Sequence, residues 1–413
     1  MDGSADRYTR DDVVERAGVD AAFVDRLIEL GVLAPGADGA FSRGDVQRVR
    51  LIDACDRAGM SAEAIADAVA GGRLHLDFLD GPQYRWSELR TETYGELAAR
   101  LGMPFELIRQ TGTTLANRVL TPDDRTREDD EAIFSVMEVV AGMVDADALT
   151  RLGRVYVDGM RRVAEAENEL FQTYLIGGLM QSGLTYGEAL ERAAAIGERL
   201  TPRVDRMVFA LYRRQQERGW TAGMVEGIER ALEAAGSHAG PARPPSFVFI
   251  DLAGYTDLTD AQGDAAGARL AGRMSSMVER VVADHAGTPV KWLGDGVMVH
   301  FGQAGQAVRA TLEMVEAAPV IGLPAHAGIA VGPVVMQDGD YFGRAVNLAS
   351  RISGAAAAGQ TLVTGSVAEL AAEPGIAFRE VGPLDLKGFA DRVTVFEATA
   401  AGSDSSASRG ESP

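Results

Sequence analysis

Residues 290–301 read VKWLGDGVMVHF, two short apolar runs joined by Gly294-Asp295-Gly296. An Asp-Gly step between β-branched runs is a hairpin signal, so the stretch predicts two antiparallel strands. It follows FVFIDL and a predicted amphipathic helix to about residue 285. It precedes a predicted helix at 304–317, then HAGIAVG and PVVMQ, read as a second hairpin. A helix at 343–355, QTLVTG, FREVG and VTVFEAT complete the series. The order β-α-β-β-α-β predicts a ferredoxin-like antiparallel core with added elements. Position 291 is also unusual: of 40 basic residues only Lys291 and Lys387 are lysine.

The chain has 413 residues, enough for two to three domains. Net charge is −20, which opposes general binding to nucleic acid or anionic membranes. A single cysteine, Cys55, rules out an intrachain disulfide. The chain opens on the polar MDGSADRYTR, and its longest apolar runs are too short to span a bilayer. The expectation is a cytoplasmic protein.

Ahead of the mixed region the periodicity is helical. Residues 8–72 alternate short helices with Gly18 and Gly31, and Val46, Val49 and Ile52 share one apolar face. Residues 78–235 predict an all-helical domain. Ile133, Val136, Met137 and Val140 form its stripe near 130–140, and Thr185 with Glu188 forms a capping box. Pro202 is read as starting a new helix. GSHAGPARPP at 236–245 is a linker by composition, and 399–413 is a disordered tail. The fold class is therefore α+β, an all-α N-terminal half preceding a ferredoxin-like domain at 246–398.

Three stretches carry chemistry. Asp251 ends the buried-looking strand of FVFIDLAGYT, where a carboxylate either caps the next turn or holds a cation. Asp295 alone reads as a hairpin turn, but two strand-end carboxylates in one small sheet can share a hard cation such as Mg²⁺. In DYFGRAVNLASRI, Asn347 and Arg351 are spaced i, i+4 on one helix face. Arginine there suits a phosphoryl oxygen. Val346, Leu348 and Ala349 predict that this helix is mostly buried, and a buried arginine without an anion is costly. Of the five histidines, His300 and His326 fall on predicted strands as structural residues, and His238 falls in the linker. No Cys/His cluster suggests zinc.

Order, spacing and chemistry together resemble the class III nucleotidyl cyclases: FxxxDxxGYT, KxxGDG, D-x6-N-x3-R and LKG, over about 246–398. The resemblance implies that Asp251 and Asp295 hold two Mg²⁺ or Mn²⁺ ions per active site. It implies that Asn347 orients the ribose, Arg351 stabilises charge on the α-phosphoryl group, and Lys387 contacts the terminal phosphates. Lys291 and Asp340 become the base readers. In this family a Lys–Asp pair reads adenine, whereas guanylyl members usually carry Glu and Cys or similar residues, so the implied substrate is ATP. The family divides these residues between two subunits. A chain carrying both sets implies a homodimer with shared sites. Guanylate cyclase activity is the alternative within the class. A diguanylate cyclase is not indicated, because LGDG stands where a GGDEF-type turn would be.

YTRDDVVERAGVD through MSAEAIADAV resembles a MerR-like helix-turn-helix over 8–72. Its recognition helix DAAFVDRLIEL is acidic, which opposes DNA binding. A DNA-binding regulator with a nucleotide-sensing C-terminal domain is thus the weaker alternative. The region 78–235 is similar to the helical regulatory domains of some actinobacterial cyclases, which implies control by pH, a lipid or another small molecule.

Overall fold

The computed structural model describes residues 7–81, 84, 86–116, 118–140, 143–237 and 244–401. Two compact units divide the chain, Met1–Val225 and Glu226–Pro413. The linker residues 238–243, His238 among them, and tail residues 402–413 lie outside the described residues.

The first unit is built mainly of helices with readable ends. Thr9 and Asp12 form a capping box for Arg10–Ala17, which stops at Gly18 in the left-handed conformation. Ser42 and Asp45 cap Arg43–Arg57, and Val46, Val49 and Ile52 are buried as their spacing predicts. Thr185 and Glu188 also cap reciprocally.

Two expectations for this unit change, and its helices also enclose one small sheet, in which Leu89–Thr93 pairs antiparallel with Arg125–Arg127. LRTET has no apolar alternation, so no strand signal was present. Its start is fixed instead by Glu88, which is fully buried and accepts from Tyr8 Oη (3.2 Å) and Arg16 Nη1 (3.0 Å). In the helix Asp130–Val140, Ile133 and Val136 are exposed, while Phe134 is buried with Leu97, Ile108 and Leu120. The Tyr94 hydroxyl donates to Asp130 (2.7 Å) and rotates that face inward. Pro202 lies inside one continuous helix, Tyr186–Ala234. A proline removes one helical N–H. Here the helix is exposed to water, and the Arg203 guanidinium donates to the Arg199 carbonyl beside the break.

The second unit holds β1 (Ser246–Leu252), α1 (Tyr255–Gln262), α2 (Asp264–Asp284), β2 (Gly287–Trp292), β3 (Gly296–Phe301), α3 (Ala304–Ile321) and β4 (Ala325–Val331). β5 (Val335–Gln337), β6 (Asp340–Phe342), α4 (Arg344–Ser353), β7 (Thr361–Thr364), α5 (Gly365–Leu370), β8 (Ile376–Leu384) and β9 (Val393–Ala400) follow. The sheet order is β8-β9-β7-β4-β1-β3-β2. Within it β4-β1-β3-β2 is antiparallel throughout, with α2 and α3 as the two crossovers. That is the expected ferredoxin-like core. β7 extends it parallel to β4, and β9 reaches Ala400, past the expected limit of 398.

PVVMQ does not pair with HAGIAVG. Both edges of β4 are taken, by β1 and β7. β5 pairs instead with β6, around Asp338 and Gly339 at positive φ (56° and 75°). Two successive positive φ values define the primed hairpin turn that Asp-Gly favours.

Side chains alternate across the sheet. Val248, Ile250, Val297, Val299, Phe301, Ala327 and Ile329 pack with α2 and α3. Phe247, Met298 and Ala330 face the other way, against Ala345, Val346 and Ala349 of α4. Helices α2, α3 and α5 therefore cover one face and α4 alone the other. Gly328 permits that approach, since a Cβ there would overlap Ser353 N and Ala349 O.

Candidate active site

The sheet face under α4 carries the chemistry. Asp251 alternates with Ile250 and Leu252, so its carboxylate emerges on that face at the end of β1. Its cross-strand partners are Gly296 on β3 and His326 on β4. Asp295 lies in the turn between β2 and β3, where Leu293 N donates to Gly296 O (2.8 Å) and Gly294 takes φ 77°. The two strand-end carboxylates are thus close enough to interact. The Asp251 carboxyl is pushed up to about 6, first by burial and second by the Asp295 charge, with His326 opposing.

Gly296 was read from sequence only as part of a tight turn. Its second role is spatial: a Cβ at this position would overlap Asp251 Oδ1. A glycine facing a strand-end aspartate was the available signal, but only the register shows that they meet.

Lys291 is opposite Met298, on the same sheet face as Asp251. Its Nζ donates to Asp340 Oδ2 at 2.8 Å. The Asp340 Oδ1 also accepts from the Tyr341 amide (2.9 Å), which orients the carboxylate. The Tyr341 ring stacks on His300 (5.3 Å, 12°) and meets Phe247 at 5.2 Å. His300 is therefore a packing residue beneath the β5–β6 hairpin, and Tyr341, which carries no signal in the sequence, is the residue whose ring packs there while its amide holds Asp340. The structure thus brings two residues 49 positions apart into a charge-assisted pair on a partly open face.

Asn347 and Arg351 do share one face of α4, but it is the solvent face. Ala345, Val346, Ala349 and Ile352 take up the burial, and both Asn347 and Arg351 are exposed. The expectation of a buried arginine is corrected: the helix is amphipathic, and the apolar residues between its polar positions point the other way. Lys387 is exposed on the loop between β8 and β9. Among the described residues, no hydrogen bond or ion pair joins Asp251 or Asp295 to Lys291, Asp340, Asn347, Arg351 or Lys387. A cavity of about 120 Å³ in this unit is lined by Pro244, Gln303, Arg309 and Glu373, and by none of these seven residues.

The carboxylate pair fits a divalent cation. One carboxyl is held above its usual range by burial and by its neighbour's charge, and a cation would offset both. His326 beside it buries an Nδ1 with no partner among the described residues. No group of three or more His, Cys, Asp or Glu gathers as a metal cluster among the described residues. Two carboxylates, with further oxygens supplied from outside the chain, is a Mg²⁺-type donor set.

Residues 240–398 match the family model for the adenylate and guanylate cyclase catalytic domain. The uncharacterised protein Rv2212 of Mycobacterium tuberculosis is 30% identical over 358 residues, 85% of this chain and 90% of that protein. The pH-sensitive adenylate cyclase MT1302 of M. tuberculosis is 28% identical over 73% of this chain and 76% of its own length. An adenylate cyclase of Streptomyces griseus is 28% identical over 66% and 69%. Among solved structures, the adenylyl cyclase CyaB from P. aeruginosa aligns with 39% of this chain and 95% of its own, at 26% identity and a TM-score of 0.36. The chain belongs to the class III nucleotidyl cyclases, a family whose catalytic domain acts on nucleotides and uses divalent metal ions. No described helix is long and apolar enough to cross a membrane.

Proposed function

We propose that the protein is an adenylate cyclase, converting ATP to 3′,5′-cyclic AMP and pyrophosphate. The observation that carries this reading is the Lys291–Asp340 pair at 2.8 Å. An ammonium donor beside a carboxylate acceptor complements the adenine edge, which offers a ring-nitrogen acceptor and an amine donor. Guanine presents the reverse pattern, and each buried polar group left unpaired costs about 1–3 kcal/mol.

The remaining residues take roles consistent with their positions. Asn347 holds the ribose, and Arg351 donates to the α-phosphoryl oxygens as charge builds there. Lys387 holds the outer phosphates. The ribose 3′-oxygen forms a bond to the α-phosphorus and gives up its proton to solvent, while pyrophosphate leaves with the electrons of the broken P–O bond. Two Mg²⁺ or Mn²⁺ ions held by Asp251 and Asp295 would supply charge neutralisation and acidify the 3′-hydroxyl.

The active unit in this reading is a homodimer. Val335, Met336 and Phe342 of the β5–β6 hairpin, with Trp292 and Leu293, are large apolar side chains left exposed beside the site. Such a patch suits burial against a second copy. Initial rates with ATP and GTP side by side test the substrate: GTP turnover equal to or above ATP turnover overturns the adenine reading. Asp251→Ala should abolish activity; a variant that kept wild-type rates would sink the carboxylate assignment.

In this reading the N-terminal half regulates the catalytic unit. Its arginines do not favour a DNA role: Arg10 is engaged by Asp25, Arg26 by Glu63 and Arg43 by Glu128. A guanidinium beside a carboxylate presents a weaker net charge to phosphate. A chain of residues 240–413 assayed from pH 5 to 8 should exceed the full chain in rate if this half inhibits. Equal or lower rates would refute inhibition.

A further inference from the structure

Arg344 opens α4, and its guanidinium carbon lies 4.7 Å from the centroid of the Phe389 ring. Phe389 closes the turn that carries Lys387. Its amide donates to the Leu386 carbonyl (3.0 Å), and Gly388 sits at φ 91°. A positive φ at the third position of a four-residue turn is why glycine follows the lysine. Leu386 is buried, and Phe389 packs with the cluster of Ile352, Leu362 and Val395. Lys387 is left exposed on that turn.

Arg344, Asn347 and Arg351 fall at i, i+3 and i+7, one face of α4, and all three are exposed. Among the described residues, Arg344, Arg351 and Lys387 form no ion pair. Arg392, on the same loop as Lys387, is paired with Asp385 at 3.0 Å. Arg344 lies in the unspecified span of the D-x6-N motif.

We propose that Arg344 and Phe389 form a clasp that holds the Lys387 turn at the first turn of α4, so that Lys387 serves the outer phosphates from the Asn347–Arg351 face. This rests on the cyclase reading. Arg344 is a positioning residue and acts through Lys387. A guanidinium suits the task because it is flat and stacks on a ring while staying charged.

The test uses the full chain, with nucleotide titrations and inhibition by added pyrophosphate. Arg344→Gln should raise KM about 3- to 5-fold, the worth of one exposed cation–π contact. The inhibition constant for pyrophosphate should rise by the same factor, with kcat changing less than KM. Phe389→Leu, which keeps apolar packing but removes the ring face, should do the same. Arg344→Lys, which keeps the charge but loses the flat stacking surface, should recover only part of the loss, separating the clasp from general damage to the loop. In a Lys387→Ala background Arg344→Gln should add nothing, because its route has been removed. Unchanged KM in Arg344→Gln, or full additivity with Lys387→Ala, overturns the clasp. Absence of cyclase activity in the wild type, or wild-type rates in Arg351→Ala, would instead overturn the reading on which the clasp rests.

Discussion

Asp251→Asn should stabilise the metal-free protein at neutral pH. The Asp251 carboxyl is raised from 3.8 to about 6 by burial and by Asp295. The sign follows from proton binding. Between about pH 4 and 6 the folded state holds a proton that the unfolded chain has lost, so stability falls as pH rises through that window. Above pH 6 the charged carboxylate is paid for in full. A shift of about two units is worth roughly 3 kcal/mol, and partial solvation brings this to about 2–3 kcal/mol. Asparagine keeps the shape and removes the charge. The variant should therefore match wild type near pH 4 and exceed it by about 2–3 kcal/mol at pH 7.5. For a unit of this size that is roughly 5–10 °C in the midpoint of its unfolding transition. The measurement is thermal unfolding of both full-length proteins in chelator at the two pH values. Added Mn²⁺ or Mg²⁺ should then raise the wild-type midpoint by mass action and leave the variant unmoved. A variant less stable than wild type at pH 7.5, or a difference independent of pH, would refute the idea that Asp251 is held at a cost for a cation.

Gly296→Ala should cut activity at least 100-fold and abolish the metal-induced rise in midpoint, because its Cβ would overlap Asp251 Oδ1; full metal response would show that the carboxylate has room to move. Mixing Asp251→Ala with Arg351→Ala, each inactive alone, should restore activity through one intact site per heterodimer, and no recovery would count against shared sites. Lys291→Glu with Asp340→Cys should lower the ATP-to-GTP preference by about 10- to 100-fold, from two mismatched base contacts. An unchanged ratio of kcat/KM values would remove these two residues from base recognition.

The ferredoxin-like core was readable because each of its cues is local. VKWLGDGVMVHF contains both strands and the turn that joins them, and β1, α2, α3 and β4 each carry one clean period. The errors came where tertiary partners decided. PVVMQ was assigned to the wrong neighbour because β4 already had two, which no local pattern encodes. LRTET became a strand because Glu88 needed the Arg16 and Tyr8 donors. Ile133 and Val136 looked like a core stripe until Phe134 and the Tyr94–Asp130 bond took the inward face. In the site, residue types at motif spacing pointed to seven candidate positions. Register was needed to see that Gly296 makes room for Asp251, and that Tyr341 carries Asp340 on an aromatic stack.

One sheet face of the catalytic unit is closed by α2, α3 and α5 and the other by α4 alone, and this asymmetry bears on assembly. The open face presents Asp251 and Asp295 at one place, with the first carboxyl disfavoured in its charged form. It presents Arg344, Arg351 and Lys387 at another, with no ion pair among the described residues. In an isolated chain neither group compensates the other, since no bond joins them. An isologous contact makes residue i of one copy meet residue j of the other and also j meet i. If the acidic end of one face met the basic face of a second copy, a two-fold axis would create that meeting twice. A nucleotide with its cations would then bridge each junction, its phosphates between the arginines of one chain and the carboxylates of the other. The exposed Val335, Met336, Phe342, Trp292 and Leu293 supply the apolar area for such a contact, and the uncompensated charges supply its direction. Salt would weaken this steering, so dimer formation without nucleotide should loosen as ionic strength rises, while apolar burial alone would hold or strengthen. Sedimentation of the nucleotide-free protein across a salt series distinguishes the two: a dimer insensitive to salt would leave the apolar patch as the sole determinant of assembly.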